Sequence, residues 1–415
     1  MTNLEGIRAL FIGRTRFERL VIFLWVLGLS VIIVRLAVLK PGSRTLFPIY
    51  RDAGINWVEG VNLYPEEVKG PSYALYRYSP IVAASFAPFS ILPSKVGDAI
   101  WRFINAGVLI FGMLYVLQSI SRSPITRAVC FAMMAIMFPT ALPHLSNGQC
   151  NALVIGLVLI AFGASSRQRW NLSAFCLTVA TLLKLYPIAA ALLLIAIHPR
   201  QLGLRFALAM ALGAAAPFVL QNFDYVLHQY QLWAKYAVSE DRSKWGVESA
   251  NVDFQMLVNV WIRPISQEAY RLIEVAVGGL MGLIVMGGRI RGVDPIRLCC
   301  LALGFASVWM TVFGPATESP TYLILMPCVA WGIISTRVEP VNWLAKGCFI
   351  LAFGMLLGLQ ISGAYGPLFS ALRLAAVQPM AGLIFTFGLM VQFFSQKRQT
   401  QPIFGTLETL PRLAA

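Results

Sequence analysis

The chain of 415 residues is 58% hydrophobic and only 12% charged, with a mean hydropathy of +0.71. Soluble domains carry about a quarter charged residues, so this composition excludes a soluble enzyme, a disordered region and a disulfide scaffold. On a soluble protein the net charge of +15 and pI near 9.8 would mark a nucleic-acid footprint, but in a membrane protein basic residues report orientation.

The first element is the apolar run 20–34, preceded by Arg8, Arg14, Arg16 and Arg19. It imitates a secretory signal, yet no small-residue cleavage site follows and the run continues to Lys40, so it is taken as a retained first transmembrane helix. A crossing helix needs roughly 20 apolar residues. By that measure spans fall at 20–39, 99–120, 125–142, 149–164, 203–220, 270–288, 297–313, 320–335, 345–363 and 379–395. Two stretches do not fit. Residues 80–92 are too short to cross, and 171–197 are too long for one helix and are interrupted by LLKLYP.

The Arg-rich connections 121–127, 165–169, 198–205 and 289–297 belong on the cytoplasmic side, with the N-terminal segment 1–19 and the tail 396–415. They share that side only if 80–92 does not cross and 171–197 goes up and back as two half-helices. Lys184, Tyr186 and Pro187 then sit at an outward-facing break, a feature tolerated at membrane depth only where it lines a cavity or is buried in protein. Two long loops, 40–98 and 221–269, fall outside, as do PHLSNGQ (143–149), GPATESP (314–320) and 364–378. The expectation is an all-α polytopic membrane protein, folded as a single integral membrane domain over 1–415. In this topology the cytoplasmic segments hold the positive excess apart from Arg35 and Lys184, and nucleic acid drops out as a partner.

The polar loops carry the candidate chemistry. In the first loop, residues 50–60 are expected to lie on the bilayer as an amphipathic segment with Ile49, Ala53, Trp57 and Val58 facing down. Asp52 sits between Arg51 and small residues near that surface, a placement suited to a general base. His144, Asn147, Gln149 and Asn151 cluster in PHLSNGQCN, and Lys184 marks the helix break. The second loop brings His228, Trp233, Lys235, Tyr236, Arg242, Lys244, Trp245 and Asp253, and Glu318 follows in GPATESP. An ionisable residue at membrane depth is a functional candidate by default, which singles out Lys184. Trp and Tyr also furnish ordinary interfacial belts, so Tyr50, Trp57, Trp233 and Trp245 serve equally as anchors or as sugar-stacking surfaces.

Other chemistries find no signature. The seven cysteines lie mostly in apolar runs without a CxxC, so neither a disulfide framework nor a zinc site is indicated. There is no P-loop, GxGxxG, HExxH, GxSxG or DxD, so neither cytosolic nucleotide use nor a tightly held divalent metal is expected, although scattered acids could still assemble a site. A lipid-linked phosphate donor suits basic and aromatic loops beside a membrane cavity. No cofactor or metal is expected.

The blocks IYRDAGINWVEGVNLYP (49–65) with ALYRYSPIVAASFAPFSILP (74–93), then NGQCN (147–151), then LLKLYP (182–187), resemble the polyprenol-phosphate-dependent glycosyltransferases of family 87 in order and spacing. The distal half matches them in hydropathy and in its large outer loop. The resemblance implies a GT-C-like bundle of about 10–13 helices whose large first outer loop carries interfacial helices. It also implies transfer of mannose or a related sugar from a polyprenyl-phosphate donor to a lipid or glycan hydroxyl at the outer face, with inversion and without a metal. In the family pattern an acid precedes the first-loop Tyr. Here those positions are Leu46 and Phe47, so Asp52 becomes the general base, with Asp253 and Glu318 in reserve. Lys184 and His144 would hold the donor phosphate, with Arg51, His228, Arg242 and Lys244 as alternates. Tyr50, Trp57, Asn147, Gln149, Asn151, Tyr186, Asp253 and Glu318 would line the sugar and acceptor site. The competing reading is a secondary transporter or flippase for a lipid-linked glycan, motivated by the broken helix pair. A non-catalytic assembly protein is a third. The first reading expects Asp52, Lys184 and His144 to converge on one outward-facing cavity.

Overall fold

The computed structural model describes residues 15–36, 45–64, 75–120, 125–239, 251–315, 317–335, 340–361 and 366–395. Every element among them is helical. Eight helices are long and apolar enough to cross a membrane: α1 (Arg16–Val34), α4 (Ser94–Ile120), α5 (Arg127–Asn147), α9 (Pro199–Ala215) continued by α10 (Pro217–Leu220), α13 (Gln267–Ile290), α14 (Pro295–Val308) continued by a π-turn (Trp309–Phe313), α16 (Trp343–Ile361) and α18 (Val377–Ser395). Each coincides with an expected span. The chain is an all-α polytopic membrane protein.

The other two expected spans form shorter elements. Residues 149–164 become α6 (Asn151–Ser166), and 320–335 become a 3₁₀ turn (Ser319–Ile324) followed by α15 (Met326–Ser335). Helix α6 is buried on nearly all sides, so its length is set by protein neighbours rather than by lipid. It packs on α4 through Gly112 and Gly156, where a Cβ added at Gly156 would come within 2.6 Å of the Val108 carbonyl oxygen. Small residues permit this backbone approach in membranes. Gly156→Ala is therefore expected to destabilise the fold by about 1–3 kcal/mol through overpacking, read as a lowered thermal midpoint in detergent. By contrast α9 and α13 leave Leu204, Leu208, Leu212, Leu272, Val275 and Leu283 exposed, as lipid-facing helices do.

Residues 171–197 form α7 (Trp170–Leu183) and α8 (Ile188–Ile197). Pro187 lacks an amide proton, and its ring would clash with the Leu183 carbonyl, so α7 ends there; Lys184 is extended at φ −149, ψ 140. Trp170, which opens α7, lies 4.9 Å ring to ring from His198, which follows α8. The pair is thus a hairpin that returns to its starting end.

That end also collects the Arg-rich turns. Arg167 sits 4.7 Å over the Tyr115 ring near the end of α4. Trp170, His198, Gln201 and Pro295 line one cavity of about 360 Å³, and Arg127 pairs with Glu18 at 2.7 Å. His198 is held below its ordinary pKa range by burial and by the Arg289 charge.

The first long loop departs from expectation. Helix α2 (Phe47–Glu59) buries Phe47, Tyr50, Ala53, Gly54 and Trp57, while Val58 is 57% exposed and Ile49 half-buried. The buried stripe follows Phe47, Tyr50, Gly54 and Trp57, a spacing that suits one helical face. It packs on protein, namely α3 (Pro80–Ser90), where Tyr50 stacks on Phe86 at 5.0 Å.

Candidate functional site

At the end of the bundle opposite the Arg-rich turns, α5 stops at Gly148, whose φ of +75 is a left-handed cap that glycine adopts freely. A side chain there would also press on the Arg102 guanidinium at 3.1 Å and on Thr45. Arg102 is fully buried. It pairs with Asp98 at 2.9 Å, donates to Thr45 Oγ1 at 2.9 Å and donates to the Leu145 carbonyl. Trp101 Nε1 donates to the Gly148 carbonyl at 2.8 Å. These bonds fix the turn that presents Gln149, Cys150 and Asn151.

From that turn a chain of polar side chains extends in both directions. Lys184 Nζ donates to Asn151 Oδ1 at 2.6 Å, and the Tyr186 hydroxyl donates to the same atom at 2.7 Å. Asn151 Nδ2 donates to Gln149 Oε1 at 2.8 Å, and Gln149 Nε2 donates to Glu318 Oε2 at 2.7 Å. His144 lies within electrostatic range of Lys184. It is buried to 2% exposure, and neither ring nitrogen has a hydrogen-bond partner. A buried polar group without a partner is costly, so such a pair of nitrogens marks a place where a ligand can supply one.

A shelf of tyrosines backs this chain. The Tyr50 hydroxyl donates to that of Tyr78 at 2.6 Å, and the Tyr64 hydroxyl donates to the Tyr78 carbonyl at 2.5 Å. Tyr78 is within electrostatic range of Glu318, and burial holds its hydroxyl well above the ordinary phenol range. The shelf is therefore neutral and serves as a source of hydrogen bonds. Ser79 Oγ donates to the Leu182 carbonyl at 2.7 Å, fastening the shelf to the break before Lys184.

Glu318 stands on a braced turn. Its amide donates to Thr321 Oγ1 at 3.3 Å, and Ser319 exchanges bonds of 2.7 and 3.0 Å with Gln378. The Val252 amide donates to the Thr317 carbonyl at 2.8 Å, which brings the end of the second loop beside the same turn. Asp253 follows, buried to 1% exposure. One of its oxygens accepts from the Met256 amide at 3.0 Å to cap α12 (Phe254–Trp261), and the other has no partner.

Burial raises the Asp253 carboxyl to about 6. The sign follows from linkage: between about pH 4 and pH 6 the folded state holds a proton that the unfolded state has released, so stability falls as pH rises through that window. Above pH 6 the charge is borne by both states, and the loss is complete at about 3 kcal/mol. Asn at this position still caps the helix. Asp253→Asn is expected to raise the thermal midpoint at pH 8 and to flatten the pH 4–6 slope, with little change at pH 4.

The structure thus brings together Lys184, His144, Gln149, Asn151, Tyr186 and Glu318, with Tyr50 behind them and Asp253 on the neighbouring segment. Asn147 adjoins them, its carbonyl accepting from the Leu46 amide at 2.8 Å. Others lie apart. Asp52 is exposed, two residues from buried Tyr50 and so on the opposite face of α2. Arg51 is half-buried, with its Nε enclosed and unpartnered. Trp57 is a core residue packed 5.6 Å from the Tyr225 ring, Trp233 donates to the Arg77 carbonyl at 3.2 Å, and His228 is exposed on α11 (Phe223–Ser239). Arg242, Lys244 and Trp245 lie outside the described residues.

Sequence reasoning overlooked the Arg102–Asp98 clamp, Tyr78 and Gln378. The first had a signal, an Asp and an Arg four residues apart where an apolar span begins. Tyr78 and Gln378 had none, because their roles depend on distant partners.

A polytopic helical bundle thus gathers a cation, a carboxylate and neutral hydrogen-bonding groups at one end. The profile of glycosyltransferase family 87 matches residues 76–315, more than half of the chain. The protein belongs to glycosyltransferase family 87 and is a multi-pass membrane glycosyltransferase. The match takes in the NGQCN and LLKLYP blocks and the second long loop, and it begins after the 49–65 block. No curated protein matches the chain.

Proposed function

We propose that the protein transfers a sugar, mannose or a related one, from a polyprenyl-phosphate donor to a hydroxyl of a lipid or glycan acceptor at the outer face of the cell membrane. The observation that carries this reading is the placement of Lys184, bonded to the Asn151–Gln149 chain, within electrostatic range of His144, whose ring nitrogens have no partner, at the end opposite the Arg-rich turns. Basic turns mark the cytoplasmic side, which orients both termini inward and the polar cluster outward.

The donor carries a phosphodiester monoanion, and cleavage of the sugar bond leaves a phosphate with a second charge. In this reading Lys184 meets that added charge, a His144 ring N–H offers it a hydrogen bond, and no metal is called on. Arg51, His228, Arg242 and Lys244 are the alternate phosphate-binding residues of this reading. Asn151, Gln149 and Tyr186 offer the neutral donors and acceptors that sugar hydroxyls require, and Asn147 and Tyr50 support them. Direct displacement inverts the anomeric carbon.

The test is an assay of purified protein in nanodiscs with labelled polyprenyl-phosphate mannose and related donors, and with lipid and glycan acceptors. Labelled product of inverted configuration is expected. Movement of a lipid-linked glycan across the bilayer with no new glycosidic bond would establish the flippase reading instead.

A further inference from the structure

Three carboxylates compete for the acceptor side of the reaction, and their surroundings separate them. Asp52 is exposed and turned away from the tyrosine shelf. Asp253 is enclosed, and one of its oxygens is committed to capping α12. Glu318 also joins a capping box, with Thr321 of the 3₁₀ turn, but it is half-buried rather than enclosed and is hydrogen-bonded through Gln149 and Asn151 to Lys184.

We propose that Glu318 is the catalytic base that takes the proton from the acceptor hydroxyl, an assignment that rests on the glycosyltransferase reading above. Two neutral amides stand between Lys184 and Glu318, so along this chain the cation and the carboxylate are held apart instead of collapsing into an ion pair. An inverting displacement needs this separation, with positive charge behind the leaving phosphate and a base on the acceptor's side. The bonds of Ser319 to Gln378 and of the Glu318 amide to Thr321 fix the backbone beneath the carboxylate, which lowers the cost of orienting it.

In the step itself the acceptor O–H bond breaks and its proton passes to a Glu318 oxygen. The acceptor oxygen bonds to the anomeric carbon as the bond from that carbon to the phosphate oxygen breaks. The bonding pair leaves with the phosphate, which departs as a polyprenyl-phosphate dianion facing Lys184. Glu318 then returns its proton to water.

The experiment compares Glu318→Gln, Glu318→Ala, Asp52→Asn and Asp253→Asn in nanodiscs, measuring sugar transfer and, separately, binding of labelled polyprenyl-phosphate mannose. Glutamine preserves an acceptor for Gln149, so donor binding is expected to stay within about threefold of wild type. Transfer is expected to fall by about 10²–10⁴-fold, a larger loss than either aspartate variant shows. Added formate is expected to restore part of the transfer in Glu318→Ala, which a merely structural role would not allow. Glu318→Gln that keeps a third or more of wild-type transfer overturns the assignment. So does loss of donor binding in that variant, or a larger loss in Asp52→Asn or Asp253→Asn. If Glu318→Gln does not fold, the formate response of Glu318→Ala decides, and no rescue overturns the assignment. Wild-type protein that transfers nothing from any polyprenyl-phosphate sugar overturns the parent reading, and this one with it. Active wild type with an indifferent Glu318 overturns this one alone.

Discussion

Lys184→Met is expected to lower kcat for sugar transfer by about 10²–10³-fold, the usual effect of removing one group that stabilises developing negative charge. The donor KM should change less than kcat. On the proposed mechanism Lys184 meets a monoanion in the bound donor and a dianion as the sugar bond breaks, so its contribution grows along the reaction. Methionine keeps most of the side chain's length and apolar stem, so packing around the break between α7 and α8 is preserved. Asn151 Oδ1 retains the Tyr186 hydroxyl as a donor, and the network loses its cation without leaving that acceptor stranded. Single-turnover transfer with saturating donor separates the chemical step from binding. A loss of donor affinity with kcat unchanged would instead assign Lys184 to uniform binding.

The second large effect is on the fold. Arg102→Met is expected to destabilise the protein by about 3–5 kcal/mol, the cost of breaking a buried pair and leaving its partner charged. Asp98 would lose its cation at a side-chain exposure of 14%. The Leu145 carbonyl and Thr45 would lose the guanidinium that holds them together. Because these bonds fix the Gly148 turn, the variant should also loosen Gln149 and Asn151, and transfer should fall at temperatures where the protein remains folded. A double variant, Asp98→Asn with Arg102→Met, removes the stranded charge and is expected to recover part of the stability. Thermal unfolding followed by size exclusion in detergent measures both.

Much of the fold was written in local patterns. A crossing helix is recognised by a run of apolar residues, and the eight long helices lie where such runs predict them. The hairpin of α7 and α8 also follows from local information, since Pro187 ends one helix and Arg-rich turns on both flanks require the chain to return. The face of α2 was assigned less well. Of the four residues expected to face down, Ala53 and Trp57 are buried and Ile49 and Val58 are not fully so, because protein partners in α3 and α11 take up the face that also carries Phe47 and Tyr50.

The site divided along the same line. Lys184, His144, Gln149 and Asn151 drew attention as polar residues in apolar surroundings, which is a property of the sequence itself. Choosing among Asp52, Asp253 and Glu318 was beyond it. Each is an acid in a polar segment between spans, and their differences are exposure and partners contributed by segments far along the chain. Gln149 and Glu318 are joined across 169 positions, and no local pattern encodes such a bond.

By itself, then, the sequence determined the class of protein, its helical spans, the reversal at Pro187 and the set of polar residues set within apolar runs. These follow from hydrophobic transfer and backbone sterics, which act over a few turns of chain. Only the tertiary structure decided which of those residues meet, because meeting depends on how helices pack. It placed Asp52 outside the cluster and Glu318 within it, and it enlisted Arg102 to hold the turn between them.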